Sequence, residues 1–289
     1  MGETIGWIGV GSIGHRMAGH VAKAEHQLVV ADAGSTARAP EGSKIAKSNA
    51  EVAASAETII LSLPDGKISV AVAREIAAAP GRKAKMVVDT STIGIAAAEE
   101  AAAILTAAGV TYVDAPVSGG IAGADKATLS VMMACAAEDY ERVKPVMALM
   151  GKPFHIGPRP GQGQAVKLLN NYLSGVAQAA SCEAIAFGVK QGIPMAKILE
   201  VVNVSTGRNT ATDDKFPRRI MNEAYDAGFT AALQAKDVRL YLESAKKSEI
   251  PTQVASTVVD VWNKFEKDWS GADITHMYPY TRDGRVGKK

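Results

Sequence analysis

Lys167 and Asn171 stand four residues apart in a stretch where nearly every residue suits a helix, so they share one helical face. An amine and a carboxamide on one face can move a proton and hold a polar group beside it. A lysine partly withdrawn from water shifts toward a pKa at which it exchanges protons near neutrality. Both residues follow Gly161-Gln162-Gly163, a flexible entry to the helix. The polar stripe continues through Ser174, Gln178 and Ser181. From Ser174 onward it reads as the solvated face of an otherwise apolar helix, and a surface lysine is the plainer alternative for Lys167.

A second candidate is Asp114-Ala115-Pro116-Val117-Ser118-Gly119-Gly120, which follows the strand-like Val-Thr-Tyr-Val. Ser118, Gly119 and Gly120 can present a hydroxyl and successive free N–H groups in a turn, a cradle suited to a carboxylate. An ordinary β-turn would use the same residues.

A third is Gly9-Val10-Gly11-Ser12-Ile13-Gly14, which ends an apolar strand pattern and opens a helix at Ile13. In that context the spacing predicts dinucleotide binding. Gly9 allows the tight turn, Gly11 lets a pyrophosphate approach the backbone, and Gly14 lets helix and strand pack closely. The helix N-terminus faces the anion. Eighteen residues after Gly14, Asp32 ends the next strand pattern. An acid there bonds ribose hydroxyls and repels a 2′-phosphate, which favours NAD over NADP. Arg38 lies close enough in sequence to meet a phosphate, although a solvated arginine is the simpler reading.

These residues need a scaffold, and the first half of the chain supplies one. Apolar runs at 4–10, 28–32, 58–64 and 85–92 each end in a turn former, with Ala-rich helical stretches at 13–23, 67–79 and 95–108 between them. Strands that are apolar throughout, alternating with helices, imply a parallel sheet covered on both faces. After Gly163 the pattern changes. Residues 164–191 read as one helix of roughly 40 Å, and 194–205, 231–247 and 251–267 read as further helices. The expected fold is α/β: an N-terminal Rossmann-type parallel sheet over 1–163, joined by a long helix to an all-α domain over 164–289 for substrate and oligomer contacts.

Composition excludes several other functions. Hydrophobic residues make up 47% of the 289 and charged residues 21%, which suits a chain that buries a core rather than a disordered one. The net charge is only +2, and the last eight residues carry four basic side chains against one acid. The basic tail therefore accounts for the surplus, and no nucleic-acid surface is expected. Two cysteines, Cys135 and Cys182, make no disulfide framework and sit among small apolar residues. The five histidines have no metal-ligand spacing, and no Gly-x-Ser-x-Gly elbow occurs. The N-terminal residues lack the basic and apolar regions of a signal peptide, and no apolar run reaches the roughly 18 residues a membrane helix needs. The expectation is a soluble cytoplasmic protein with no metal, nucleic-acid or membrane partner.

Taken in order, IGWIGVGSIGHRMA, DTSTI at 89–93, DAPVSGGIAGA at 114–124, GQGQAVKLLNN at 161–171 and AKDVRLYLE at 235–243 resemble the β-hydroxyacid dehydrogenases. That group includes 3-hydroxyisobutyrate dehydrogenase, tartronate semialdehyde reductase and glyoxylate/succinic semialdehyde reductase. The resemblance implies cofactor contacts at Gly9, Gly11, Ile13, Gly14 and Asp32, with Pro64 and Thr92 on the nicotinamide side. It implies a substrate carboxylate at Ser118, Gly119 and Gly120, a catalytic Lys167, and Asn171 orienting the substrate. Lys236 would close over cofactor and substrate, and Phe229 would bound the substrate pocket. The implied activity is NAD-dependent oxidation of a small 3-hydroxy acid by a homodimer or homotetramer. The alternatives are an NADPH-dependent glyoxylate or succinic semialdehyde reductase, and an NAD-binding protein without activity. Glu25 departs from the family, standing where many members have glycine. So does Ala134-Cys135, in place of a common Gly-Gly. The GPRPGQG loop is one residue longer than usual.

Overall fold

The computed structural model describes residues 2–269 and 271–284. They divide into two compact units, the first ending at Lys167 and the second beginning at Leu168. The division falls inside the long helix, a few residues beyond the 163/164 boundary expected from composition.

In the first unit six strands run parallel. They are β1 (Thr4–Ile8), β2 (Gln27–Ala31), β3 (Lys44–Ile45), β4 (Thr58–Leu61), β5 (Met86–Asp89) and β6 (Thr111–Asp114), in the spatial order β3-β2-β1-β4-β5-β6. The order reverses between β1 and β4, and a sheet wound this way leaves a ligand crevice beyond the carboxyl ends of those strands. Alternate residues of each strand bury on opposite faces. Ile59, Leu61 and Val87 pack with Val52 of α2 (Asn49–Ser55), Ala73 and Ile76 of α3 (Gly66–Ala77) and Leu105 of α4 (Ile95–Ala107). Trp7, Val30, Ile60 and Val88 pack with Met17 and Val21 of α1 (Gly14–Lys23), Ala124 of α5 (Gly120–Asp125) and Met147 of α6 (Ala137–Ala148). Two covered faces explain why the strands read as unbroken apolar runs.

The sheet is not parallel throughout. At its far edge β8 (Leu129–Ala134) runs antiparallel to β6 and to β7 (Val117–Ser118), and parallel to β9 (Gly151–Gly157). Only the six-residue α5 and a few flanking residues separate β7 from β8. That is too short for a parallel crossover, which takes a dozen residues or more, so the chain turns back on itself.

From residue 168 onward the second unit is helical. It comprises the rest of α7 (Gln162–Lys190), then α8 (Met195–Val202), α9 (Ala231–Lys247), α10 (Gln253–Asp268) and α11 (Met277–Arg282). Between α8 and α9 the chain forms a wide helix, Ala211–Ile220, that contains Pro217. Met221 N–H reaches back five residues to Phe216 O at 2.9 Å, the spacing of a π-type turn. Phe216, Trp262, Phe265, Tyr278 and Tyr280 fill this unit's core. Trp262 Nε1 donates to Gly175 O at 3.2 Å, and a side chain at Gly175 would come within 2.7 Å of Gln234 Nε2. α11 extends through Arg282, whose guanidinium pairs with Asp283 at 2.7 and 2.9 Å. The remaining basic residues of the tail, Arg285, Lys288 and Lys289, lie outside the described residues. No helix among the described residues is long and apolar enough to cross a membrane.

Candidate active site

The three glycines after β1 do three different jobs. Gly9 has φ +98°, and a Cβ there would lie 2.2 Å from Ser62 O, so the turn hugs the end of β4. At Gly14 a Cβ would lie 2.2 Å from Gly9 O, so only hydrogen lets α1 start this close to β1. A Cβ on Gly11 would meet no protein atom within 4 Å. Packing does not require a glycine there, whereas close approach of a pyrophosphate does. Ile13 stands at the N-cap of α1 and offers no side-chain cap; His15 and Arg16 N–H donate to Gly11 O and Ile13 O at 3.2 and 3.1 Å, so no capping side chain bars an anion from the start of the helix. The turn fits a dinucleotide.

Asp32 anchors this turn. Its Oδ2 accepts from Val10 N–H at 2.7 Å, and its Oδ1 from Gly34 and Ser35 N–H at 2.8 and 3.0 Å. Partial burial works against its charge, but the N–H groups of Val10, Ser35 and Gly34 prevail and hold the carboxyl below its usual range. It is an anion at neutral pH. Arg38 is exposed.

The other first-unit candidates gather at the same end of the sheet. Pro64 follows β4 and Thr92 follows β5. Leu63 N–H donates to Ser91 Oγ at 2.8 Å, which ties the two loops together. Ser118 ends β7, with Gly119 and Gly120 at φ +140° and +63°. A Cβ on Gly120 would meet nothing within 4 Å. Lys167 lies in the second turn of α7, only 8% exposed, so it is not a solvent-facing helix lysine.

In the second unit Asn171, also 8% exposed, lies one turn further along α7. Its Nδ2 donates to Asp237 Oδ2 at 2.6 Å, and its Oδ1 accepts from Asn170 Nδ2 at 3.1 Å. Lys236 Nζ stands 3.5 Å from the other oxygen of Asp237. Phe229 precedes α9 and packs against the helical core. Asp237 had no role assigned from sequence beyond following Lys236, yet it holds both neighbours. The expectation of a solvated face from Ser174 onward is corrected. Gln178 and Ser181 are buried. Gln178 Nε2 reaches Cys182 Sγ at 3.4 Å, and Ser181 Oγ exchanges contacts with the amide of Asn209 at 3.1 and 3.3 Å. Ser181 packs into the helical unit because Asn209 supplies a partner that the local spacing does not reveal, whereas Gln178 turns to Cys182 on its own helix.

Sequence spacing also missed Gln164 and the full part played by Asp114. Both are wholly buried and bonded to each other, with Gln164 Nε2 donating to Asp114 Oδ1 at 2.8 Å. Neither cysteine is a nucleophile here. Burial, with Asp139 and Asp114 adding to it, pushes the Cys135 thiol up to about 12, and burial also pushes Cys182 well up.

Comparison with known proteins agrees with this geometry. A family model described as the NAD binding domain of 6-phosphogluconate dehydrogenase matches residues 4–157. Another, described as NAD-binding of NADP-dependent 3-hydroxyisobutyrate dehydrogenase, matches residues 161–281. The chain is 31% identical to 2-(hydroxymethyl)glutarate dehydrogenase of Eubacterium barkeri, over 89% of this chain and 87% of that one. It is 32% identical to the mitochondrial 3-hydroxyisobutyrate dehydrogenase of Drosophila melanogaster, over 96% and 88%. The solved structure of Mycobacterium tuberculosis 3-hydroxyisobutyrate dehydrogenase with L-serine superposes with a TM-score of 0.89 at 29% identity, covering 98% of this chain and 100% of that one. Glycine turn, parallel sheet, long helix and relatives all agree: the chain belongs to the β-hydroxyacid dehydrogenase family and is an oxidoreductase that acts on a CH–OH group with a nicotinamide dinucleotide.

Proposed function

We propose that the protein is an NAD-dependent dehydrogenase of a small 3-hydroxy acid resembling 3-hydroxyisobutyrate, with Lys167 as general acid and base. The observation that carries this reading is Lys167 itself: a lysine withdrawn from solvent on a helix anchored to the loop that bears Thr92. When bound, the nicotinamide supplies the hydride acceptor or donor. Lys167 Nζ takes the proton of the substrate hydroxyl on oxidation and returns it on reduction. Ser118 and the Gly119 and Gly120 N–H groups hold the carboxylate, so a plain alcohol is a poor substrate. Asn171, its amide fixed by Asp237, orients the hydroxyl, and Lys236 and Phe229 complete the substrate side. Asp32 favours NAD over NADP. The protein works in the cytoplasm, and its functional form is a homo-oligomer.

The test is steady-state kinetics at 340 nm with 3-hydroxyisobutyrate and each cofactor. NAD should exceed NADP by at least about tenfold in kcat/KM, a like-charge penalty of roughly 1.4 kcal/mol. Lys167→Ala should lose roughly 10²–10⁴-fold in kcat, with NADH affinity by fluorescence titration unchanged. Lys167→Arg should fare little better, because arginine keeps its proton at any working pH. Near-wild-type turnover by Lys167→Arg would remove proton transfer from this residue. Retention by Lys167→Ala as well would remove it from the site.

A further inference from the structure

We infer that Asp114 and Gln164 form a hydrogen-bonded clamp that positions Lys167 against the loop carrying Thr92, and that turnover depends on the donor and acceptor polarity of that clamp. The inference rests on the reading of Lys167 as the acid and base.

Asp114 is the last residue of β6, and its carboxylate meets the start of α7. Oδ2 accepts from Gly161 N–H at 2.9 Å and from Gln164 N–H at 3.1 Å, and Oδ1 accepts from Gln164 Nε2 at 2.8 Å. Gly161, at φ +89°, has no side chain with which to cap the helix, so a strand carboxylate caps it instead. Gln164 continues the connection. Its Oε1 accepts from Ile93 and Gly94 N–H at 2.9 and 3.1 Å, and its Nε2 also donates to Ser91 O at 3.0 Å. Both amide hydrogens and both oxygen lone pairs are therefore used, and every bond fixes the same orientation of the amide. Thr92 sits between the residues that Gln164 holds. Lys167 lies three residues further along the helix, on the adjoining turn. Gly163 closes the arrangement, since a side chain there would approach Met132 O to 2.4 Å and Asp114 Oδ2 to 3.0 Å. Sliding α7 along the sheet would break this whole set of bonds. A displacement of about 1 Å at a reacting group is enough to cost about 10²-fold in rate.

A buried acid and amide are an expensive way to fill space, and two apolar residues would pack as well. Their use points to orientation. The titratable groups facing Asp114 are Asp89 on β5, its register partner, Tyr112 on β6 and Cys135 after β8. Burial lifts Asp114 to about 6, and Asp89 adds to the rise, while the bonds from Gln164 and Gly161 oppose it. At neutral pH the clamp holds a carboxylate. Once protonated, that carboxyl offers a donor where three N–H groups need acceptors.

The experiment is the pH profile of kcat in the reduction direction, with NADH and the aldehyde product of 3-hydroxyisobutyrate. In this direction Lys167 must start protonated, so it accounts only for a fall at high pH. Wild type should show a separate fall below about pH 6. Asp114→Asn should abolish that acidic limb. Gln164→Glu keeps the acceptors for Ile93 and Gly94 but sets two carboxyls together, so they bond only when they share a proton. Its kcat should fall at least about tenfold at pH 8 and recover as the pH drops, with NADH affinity unchanged. A filler residue would show no such recovery. A flat wild-type profile from pH 8 to 5 overturns the clamp whether or not the variants fold. So does wild-type kcat at pH 8 in Gln164→Glu. Lys167→Ala, run alongside, separates the two readings. Retained turnover there overturns the acid/base role and the clamp with it, whereas lost turnover there with an unaltered Gln164→Glu overturns the clamp alone.

Discussion

Glu25 shows how a departure in the sequence becomes a physical cost. It lies in the turn between α1 and β2 with φ +64°, the left-handed region that glycine enters freely. A residue with a Cβ pays about 1–2 kcal/mol there. Replacing it by glycine returns part of that by loosening the unfolded chain, about 0.4–1 kcal/mol. Glu25→Gly should therefore stabilise the protein by roughly 0.5–1 kcal/mol, raising Tm by about 2–3 °C, with kinetics unchanged because the turn is remote from Lys167 in the fold's connectivity. Thermal melts of the two proteins under matched conditions decide it. A lower Tm in the variant would mean that the Glu25 side chain makes a contact worth more than the strain. The family pattern had marked the position, but only the backbone angle says why glycine is common there.

The turn joining β1 to α1 separates packing from binding within six residues. Gly14→Ala would drive a methyl into Gly9 O, where the ideal Cβ sits at 2.2 Å. The helix must then move off the sheet, and a stability loss of about 1–3 kcal/mol follows, as for other overpacked sites. Gly11→Ala meets nothing within 4 Å, so its melting temperature should stay within about 2 °C of wild type while NADH affinity by fluorescence titration drops at least about tenfold. Equal NADH affinity in Gly11→Ala would remove this turn from the cofactor site. The same turn shows what was legible. A glycine spacing between an apolar run and a helix is local, and so are Lys167 and Asn171 on one helix face. β1, β2, β4, β5 and β6 were readable because two covered faces make continuous apolar runs. β3 and β7 have two residues each, too few for a period. β9 is a half-buried edge whose Lys152, Pro153 and His155 break the apolar pattern. The wide helix around Pro217 has no sequence period of its own. Gln164 and Asp114 were hidden for a different reason: their partners lie about fifty residues away, and no spacing rule reaches that far.

Across the whole molecule, the first unit trades stability for its site. Asp89 and Asp114 end neighbouring strands in register, and both are wholly buried. Burial raises Asp89 despite bonds from Ser91, and it raises Asp114 from 3.8 to about 6. A carboxyl whose pKa is higher folded than unfolded binds its proton more tightly in the fold. Its contribution to stability is therefore complete below the unfolded value and is lost as pH rises through the folded one. For Asp114 the window runs from about 4 to 6, and the loss across it is about 3 kcal/mol at 1.36 kcal/mol for each pH unit. Solvent-facing acids such as Glu51 and Glu57, held below their usual range by Lys47 N–H and by Lys85, pull the other way as pH rises, so the net curve of the wild type mixes both. Asp114→Asn isolates the buried group, since asparagine does not titrate and any fixed cost of the substitution cancels from the slope. Urea unfolding of both proteins at pH 4, 5, 6 and 7 should show the wild-type advantage over Asp114→Asn shrinking by about 3 kcal/mol between pH 4 and 7. A difference that stays level would mean that the carboxyl titrates at the same pH folded and unfolded. A shrinking difference means the ionised clamp at the head of α7 is maintained against the fold's own preference, as expected of a carboxylate kept for its bonds to Gly161 and Gln164.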